Sequence, residues 1–135
     1  MTFTVYGEPK GKARPRFGKG YARKEDNTAV YENLVRLEYE KQCRNERFEA
    51  GVPVKIEIAA YFKIPQSASK KKQEEMRRNH IFPTKRPDLD NVCKAILEGC
   101  NGVAYYDDAQ IVTMHCYKLY SDIPRVVVTI EEEFV

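Results

Sequence analysis

Asp88, Asp90, Asn91 and Lys94 place two carboxylates, an amide and an ammonium within seven residues, in the stretch Pro87-Asp88-Leu89-Asp90-Asn91-Val92-Cys93-Lys94. A second carboxylate pair, Asp107-Asp108, follows after Asn101-Gly102. Two acidic clusters separated by one helix and a turn can converge on a cation. Oxygen ligands select Mg²⁺ or Mn²⁺ over zinc or copper. Beside a basic surface, such a cation means phosphodiester chemistry, in which it activates a water, neutralises the phosphate and stabilises the leaving oxygen. Lys94 has two readings. It stabilises the charged transition state or positions the nucleophile, or it only balances the acidic cluster when the metal is absent.

No rival catalytic set emerges. His80 follows a polar run and His115 lies in an expected strand, so no Ser/His/Asp or Cys/His arrangement can be built. The HNH-nuclease pattern is absent, and so is the GxxxxGK[ST] loop. Cys43, Cys93, Cys100 and Cys116 form no CxxC pair and lack histidines at zinc-ligand spacing. They read as small buried thiols in a reducing compartment. Pro87-Asp88 looks like the start of a PD-(D/E)xK motif. That motif needs its lysine at the end of a strand, whereas Lys94 falls on an expected helix.

The helix that must carry the first cluster spans residues 88–100. Leu89, Val92, Cys93, Ile96, Leu97 and Cys100 have the spacing of one buried face, which leaves Asp90, Asn91, Lys94 and Glu98 on the other. Asp88 stands where an N-cap is expected. Asp90 lies in the first turn, where the helix dipole favours negative charge, and Lys94 sits four residues on. Each feature alone is common on solvated helices. Their clustering next to basic segments gives them weight.

Charge is unevenly divided. Residues 1–94 carry 21 Lys and Arg against 13 Asp and Glu, and residues 95–135 carry 2 against 7. The loop Gly7–Tyr21 holds Lys10, Lys12, Arg14 and Arg16 among glycines and prolines, suited to lie along a phosphate backbone. Phe17 and Tyr21 can stack on bases, but pinning the loop to the core is the default. Lys85 and Arg86 stand immediately before the carboxylates. This balance points to a polyanionic partner.

The remaining elements follow from pattern. Residues 2–6 and 54–62 alternate as strands. Residues 28–48 predict a helix with Val30, Tyr31, Leu34, Val35 and Leu37 on one broad face. Ser67 or Ser69 caps a short polar helix, part of a 66–84 excursion that is either solvated or a DNA-facing flap. Residues 109–120 and 124–133 predict two strands joined by a turn at Ser121-Asp122, the last apolar enough to be central. The order β-α-β-(α)-α-β-β implies an α+β fold, a single mixed or largely antiparallel sheet with helices packed against it. Its 135 residues suit one domain. No apolar run approaches the ~20 residues of a membrane span. The N-terminus resembles no signal peptide, so the cytoplasm is expected.

Lys-Arg-Pro-Asp-Leu-Asp-Asn-Val-Cys-Lys-Ala-Ile-Leu-Glu-Gly (85–99), followed by Asn-Gly-Val-Ala-Tyr-Tyr-Asp-Asp-Ala-Gln-Ile-Val (101–112), closely resembles the RusA family of Holliday junction resolvases. Pro-Lys-Gly-Lys-Ala-Arg-Pro-Arg-Phe (9–17) resembles the basic loop of its phage and prophage members. The resemblance covers nearly the whole chain, least so 66–84. It implies a Mg²⁺-dependent homodimeric endonuclease, Mn²⁺ substituting, that cuts DNA four-way junctions by paired symmetric nicks in recombination and repair. By motif, the acidic residues are Asp88, Asp90 and Asp108, the lysine is Lys94, and Asp107 neighbours the third carboxylate as a further metal ligand. The rivals are a non-catalytic structure-specific DNA-binding module and a metal-dependent nuclease of broader branched-DNA specificity. A phosphohydrolase of small nucleotides does not require several separated basic segments.

Overall fold

The computed structural model describes residues 1–12 and 21–134, with the side chains of 21–26 left aside. The expectations for Arg14, Arg16, Phe17 and the Tyr21 side chain fall outside the described residues. Four strands, β1 (Thr2–Tyr6), β2 (Val54–Lys63), β3 (Ile111–Ser121) and β4 (Arg125–Glu132), form one sheet in the order β1-β4-β2-β3. Three helices, α1 (Tyr21–Cys43), α2 (Lys70–Arg77) and α3 (Leu89–Cys100), and a 3₁₀ turn at Asp108–Gln110 complete the described elements. The sheet is mixed: β4 pairs antiparallel with β1 and β2, and β3 pairs parallel with β2. The arrangement is the expected α+β one.

The apolar, β-branched character of β4 matches its place inside the sheet, where Val126, Val128 and Ile130 are fully buried. Although β3 and β4 are joined by only a few residues, they are not neighbours. The connection steps over the end of β2, and the amide of Ile64 donates to the carbonyl of Ser121 at 3.1 Å. On one face, Phe3, Val5, Ile56, Ile58 and Val128 meet Tyr31, Val35 and Tyr39 of α1 and Val92, Ile96 and Cys100 of α3 in a single core.

Helix α1 departs from expectation twice. It runs from Tyr21 to Cys43 rather than over 28–48, ending where Arg44 and Asn45 turn to positive φ (53° and 60°). Its buried stripe is Tyr31, Val35, Tyr39 and Cys43, while Val30 (67 % exposed), Leu34 (40 %) and Leu37 (60 %) face outward. Two contacts select that stripe. A Cβ on Gly99 would stand 2.7 Å from Val35 Cβ, so only glycine lets α3 come this close to α1. The ring of Phe3 meets Tyr39 edge-on at 5.3 Å.

The excursion before α3 is anchored at a few points. Ser69 caps α2 by accepting from Lys72 N at 3.2 Å. Met76 is buried, and Arg77 binds both oxygens of Asp122 at 2.8 and 3.1 Å. Cys43, Cys93 and Cys100 are buried as expected, Cys116 is half-buried, and none is disulfide-bonded. No helix among the described residues is long and apolar enough to cross a membrane.

Candidate active site

Asp88 occupies the N-cap position of α3 in extended backbone, but its side chain makes no capping hydrogen bond to the helix. Its carboxylate therefore does not cap the helix amides. Asp90 lies in the first turn, and Asp88, Asp90 and Lys94 are all exposed at the surface. The buried face of Val92, Cys93, Ile96 and Cys100 fixes this presentation.

The approach to the helix is held from the side. Lys118, reaching from β3, donates to the carbonyls of Lys85 and Pro87 at 2.7 and 2.9 Å. Its ammonium also lies 5.1 Å from the Phe62 ring centroid. The start of the basic loop rests on the same segment: the amide of Lys12 donates to Asn91 O at 2.9 Å. A Cβ on Gly11 would fall 2.9 Å from Asn91 Cβ and 3.0 Å from Pro87 Cβ, so glycine is what allows this seating. Gly11 and Lys12, where the basic loop is described, thus share one surface with the carboxylate-bearing helix start.

The Asp107–Asp108 turn is built differently. Asp107 caps the 3₁₀ turn by accepting from Ala109 N at 3.3 Å. Gln110 Oε1 accepts from Tyr106 N (2.9 Å) and Asp107 N (3.1 Å), and Gln110 Nε2 donates to Glu49 O (2.8 Å) and Val52 O (3.1 Å). One side chain therefore ties the acidic turn to the segment between α1 and β2. Tyr105 is fully buried, and its hydroxyl donates to Leu97 O at 3.1 Å. Asp108 is raised above the ordinary carboxylate range, first by its hydrogen bond with Asp107, then by desolvation and the charges of Asp107 and Glu98. Two carboxylates this close disfavour double ionisation, which is the electrostatic condition that a bound cation relieves.

The two acidic groups adjoin opposite ends of α3. Asp107 and Asp108 act on one another with Glu98, while Asp88 and Asp90 lie at the other end of α3. Asp90 and Glu98 are eight positions apart on the helix, about 12 Å along the axis. Among the described residues no group of three His, Cys, Asp or Glu is placed to hold a metal ion.

A family model for endodeoxyribonuclease RusA matches residues 6–131. This chain belongs to the RusA family. It is accordingly an endodeoxyribonuclease of the Holliday junction resolvase type. "Uncharacterized protein YqaN" of Bacillus subtilis (strain 168) is 38 % identical over 138 residues, covering 98 % of this chain and 96 % of that protein. "Crossover junction endodeoxyribonuclease rusA" of Lactococcus phage r1t is 29 % identical over 115 residues, covering 84 % of this chain and 81 % of the phage protein.

Of the expected DNA contacts in this RusA chain, Lys10, Lys85 and Arg86 are exposed. Lys12 is partly exposed, its ammonium 3.6 Å from Glu98 and 3.9 Å from Glu32. Burial pushes Glu32 up, and Lys12 opposes that shift. The residues missed from sequence are Gln110, Lys118 and Glu98. Gln110 carried a readable signal, because Asp-x-x-Gln is a capping-box spacing. Lys118 carried none, since a lysine in a strand reads as solvated surface.

Proposed function

We propose that this RusA chain, as a single domain over residues 1–135, is a Mg²⁺-dependent resolvase of DNA four-way junctions. It acts as a homodimer that makes paired symmetric nicks in DNA recombination and repair. The observation that carries this reading is the seating of Gly11 and Lys12 on Pro87 and Asn91, which joins a basic segment to the helix start bearing Asp88, Asp90 and Lys94.

RusA nucleases are generally divalent-metal dependent, and the donor chemistry here fits that class. Asp88, Asp90, Asp107 and Asp108 offer only hard oxygen ligands at the surface. When bound, Mg²⁺ supplies an activated water and neutralises charge on the scissile phosphate. Lys94, one turn beyond Asp90, brings positive charge to the phosphorane-like transition state. Lys10, Lys12, Arg14, Arg16, Lys85 and Arg86 take the flanking phosphates. The exposed stripe Val30, Leu34 and Leu37 on α1 supports self-association, because an apolar helix face of this kind gains by being covered. A cytoplasmic, prophage-borne role accords with the phage relative.

The test is to incubate the protein with a synthetic four-way junction, a flap and a linear duplex in Mg²⁺, Mn²⁺ or EDTA. Metal-dependent cutting of the junction at two symmetric positions is expected. Cutting in EDTA would overturn the mechanism. Equal cutting of all three would replace junction resolution by a broader branched-DNA nuclease, and binding without cutting would leave only the DNA-binding module. Light scattering on Leu37→Glu, expected to shift the dimer toward monomer, tests the α1 contact.

A further inference from the structure

We propose that Arg47 and Tyr106 form a stacking site for an unpaired nucleobase of the DNA strand that reaches the Asp107–Asp108 turn. The site deepens the endonuclease reading and rests on it.

The Arg47 guanidinium lies 3.7 Å from the Tyr106 ring centroid, and its Nη1 donates to Gly102 O at 3.1 Å. Asn45, Arg47, Gly102, Val103 and Tyr106 line an open cavity of about 350 Å³. That lies near the small end of ligand pockets, a volume suited to one base rather than to a larger cofactor. Tyr106 remains 52 % exposed.

The fold has little use for this pair. A cation over an exposed ring contributes little to stability, and the adjacent Tyr105, fully buried and bonded to Leu97 O, already anchors the turn. Aromatic rings and guanidinium planes are the surfaces on which unpaired bases stack. Arginine also supplies donors to a phosphate. The placement is defined as well. Gln110 Oε1 accepts from the amides of both Tyr106 and Asp107, so the backbone carrying the ring and the backbone carrying the carboxylate are held together. A base stacked on Tyr106 would hold its strand in register with Asp107 and Asp108. Paired bases inside a duplex do not offer their faces, whereas bases at a branch point offer theirs once the arms unstack or the pair opens.

The test uses the full-length protein in EDTA with two probes: a short single strand carrying 2-aminopurine, and a four-way junction with 2-aminopurine at the branch point. The wild type is expected to change the fluorescence of both. Tyr106→Leu and Arg47→Ala should abolish the change and weaken single-strand binding roughly tenfold, while Tyr106→Phe retains both. In Mg²⁺, Tyr106→Leu should slow junction cutting. Probe response and cutting unchanged from wild type in both Tyr106→Leu and Arg47→Ala would overturn the site and leave the resolvase reading standing. Stacking of the single-strand probe through Tyr106, without cutting of any branched DNA by the wild type, would support the site and sink that reading instead. Arg47 lies outside the turn, so its variant decides the matter if Tyr106→Leu does not fold.

Discussion

The two acidic segments are positioned by opposite means. Asp88–Lys94 belongs to an amphipathic helix whose buried face holds it, with Lys118, Lys12 N and Gly11 adding separate contacts around its start. Asp107–Asp108 has no apolar face of its own; beside the neighbouring buried Tyr105 it is held by polar contacts, four of them made by one glutamine. Burial spreads the hold over many residues, whereas a polar network concentrates it in few. One substitution can therefore displace the turn and leave the helix start in place.

The largest effect is expected where the comparison can be broken outright. Asp90→Asn and Asp108→Asn should each reduce single-turnover junction cutting by more than the ~10–100-fold that outer partners of a metal site are worth, with junction binding retained. Wild-type cutting by Asp108→Asn alone would show that the two segments do not serve one reaction. Next comes the latch. Gln110→Ala should raise the Mg²⁺ concentration for half-maximal cutting roughly tenfold or more, whereas Lys118→Met should move it by less. Equal shifts would erase the distinction between a concentrated and a distributed hold.

Gly99→Ala addresses the helix side. A methyl against Val35 should destabilise the fold by about 1–3 kcal/mol in urea unfolding, since overpacking forces α1 and α3 apart. A neutral result would mean that the helices yield. The smallest effect belongs to the rim. Arg77 holds the Asp122 carboxyl below its usual range through a hydrogen bond and its charge. The contribution is therefore present above the ordinary carboxylate pKa and is lost as pH falls through the depressed folded value. Both side chains are exposed, so Asp122→Asn should only slightly flatten the acid limb of Tm against pH. A steeper limb in the variant would contradict the sign.

Much of this molecule was legible residue by residue. The strands at Thr2–Tyr6 and Val54–Lys63, the polar helix capped by Ser69, and the buried face of α3 follow from local pattern. These depend on backbone geometry over a few residues, which periodicity and capping chemistry report directly. The motif from Lys85 to Val112 likewise showed the family before any geometry was known.

Tertiary structure decided what local pattern leaves equal. On α1, Val30, Leu34 and Leu37 are as periodic as Tyr31, Val35 and Tyr39, and only the approach of Gly99 and Phe3 selects the inner stripe. The short link from β3 to β4 suggests neighbours, yet β2 lies between them. Lys12 reads in the sequence as one more loop cation, and only the fold brings its ammonium beside Glu32 and Glu98. Gln110 finds its carbonyl partners at Glu49 and Val52, far back in the chain. The acidic helix start could be read from Pro87 to Lys94. That the Asp107–Asp108 turn is tied through Gln110 to Glu49, 61 residues back, depends on long-range contacts, which no local spacing encodes.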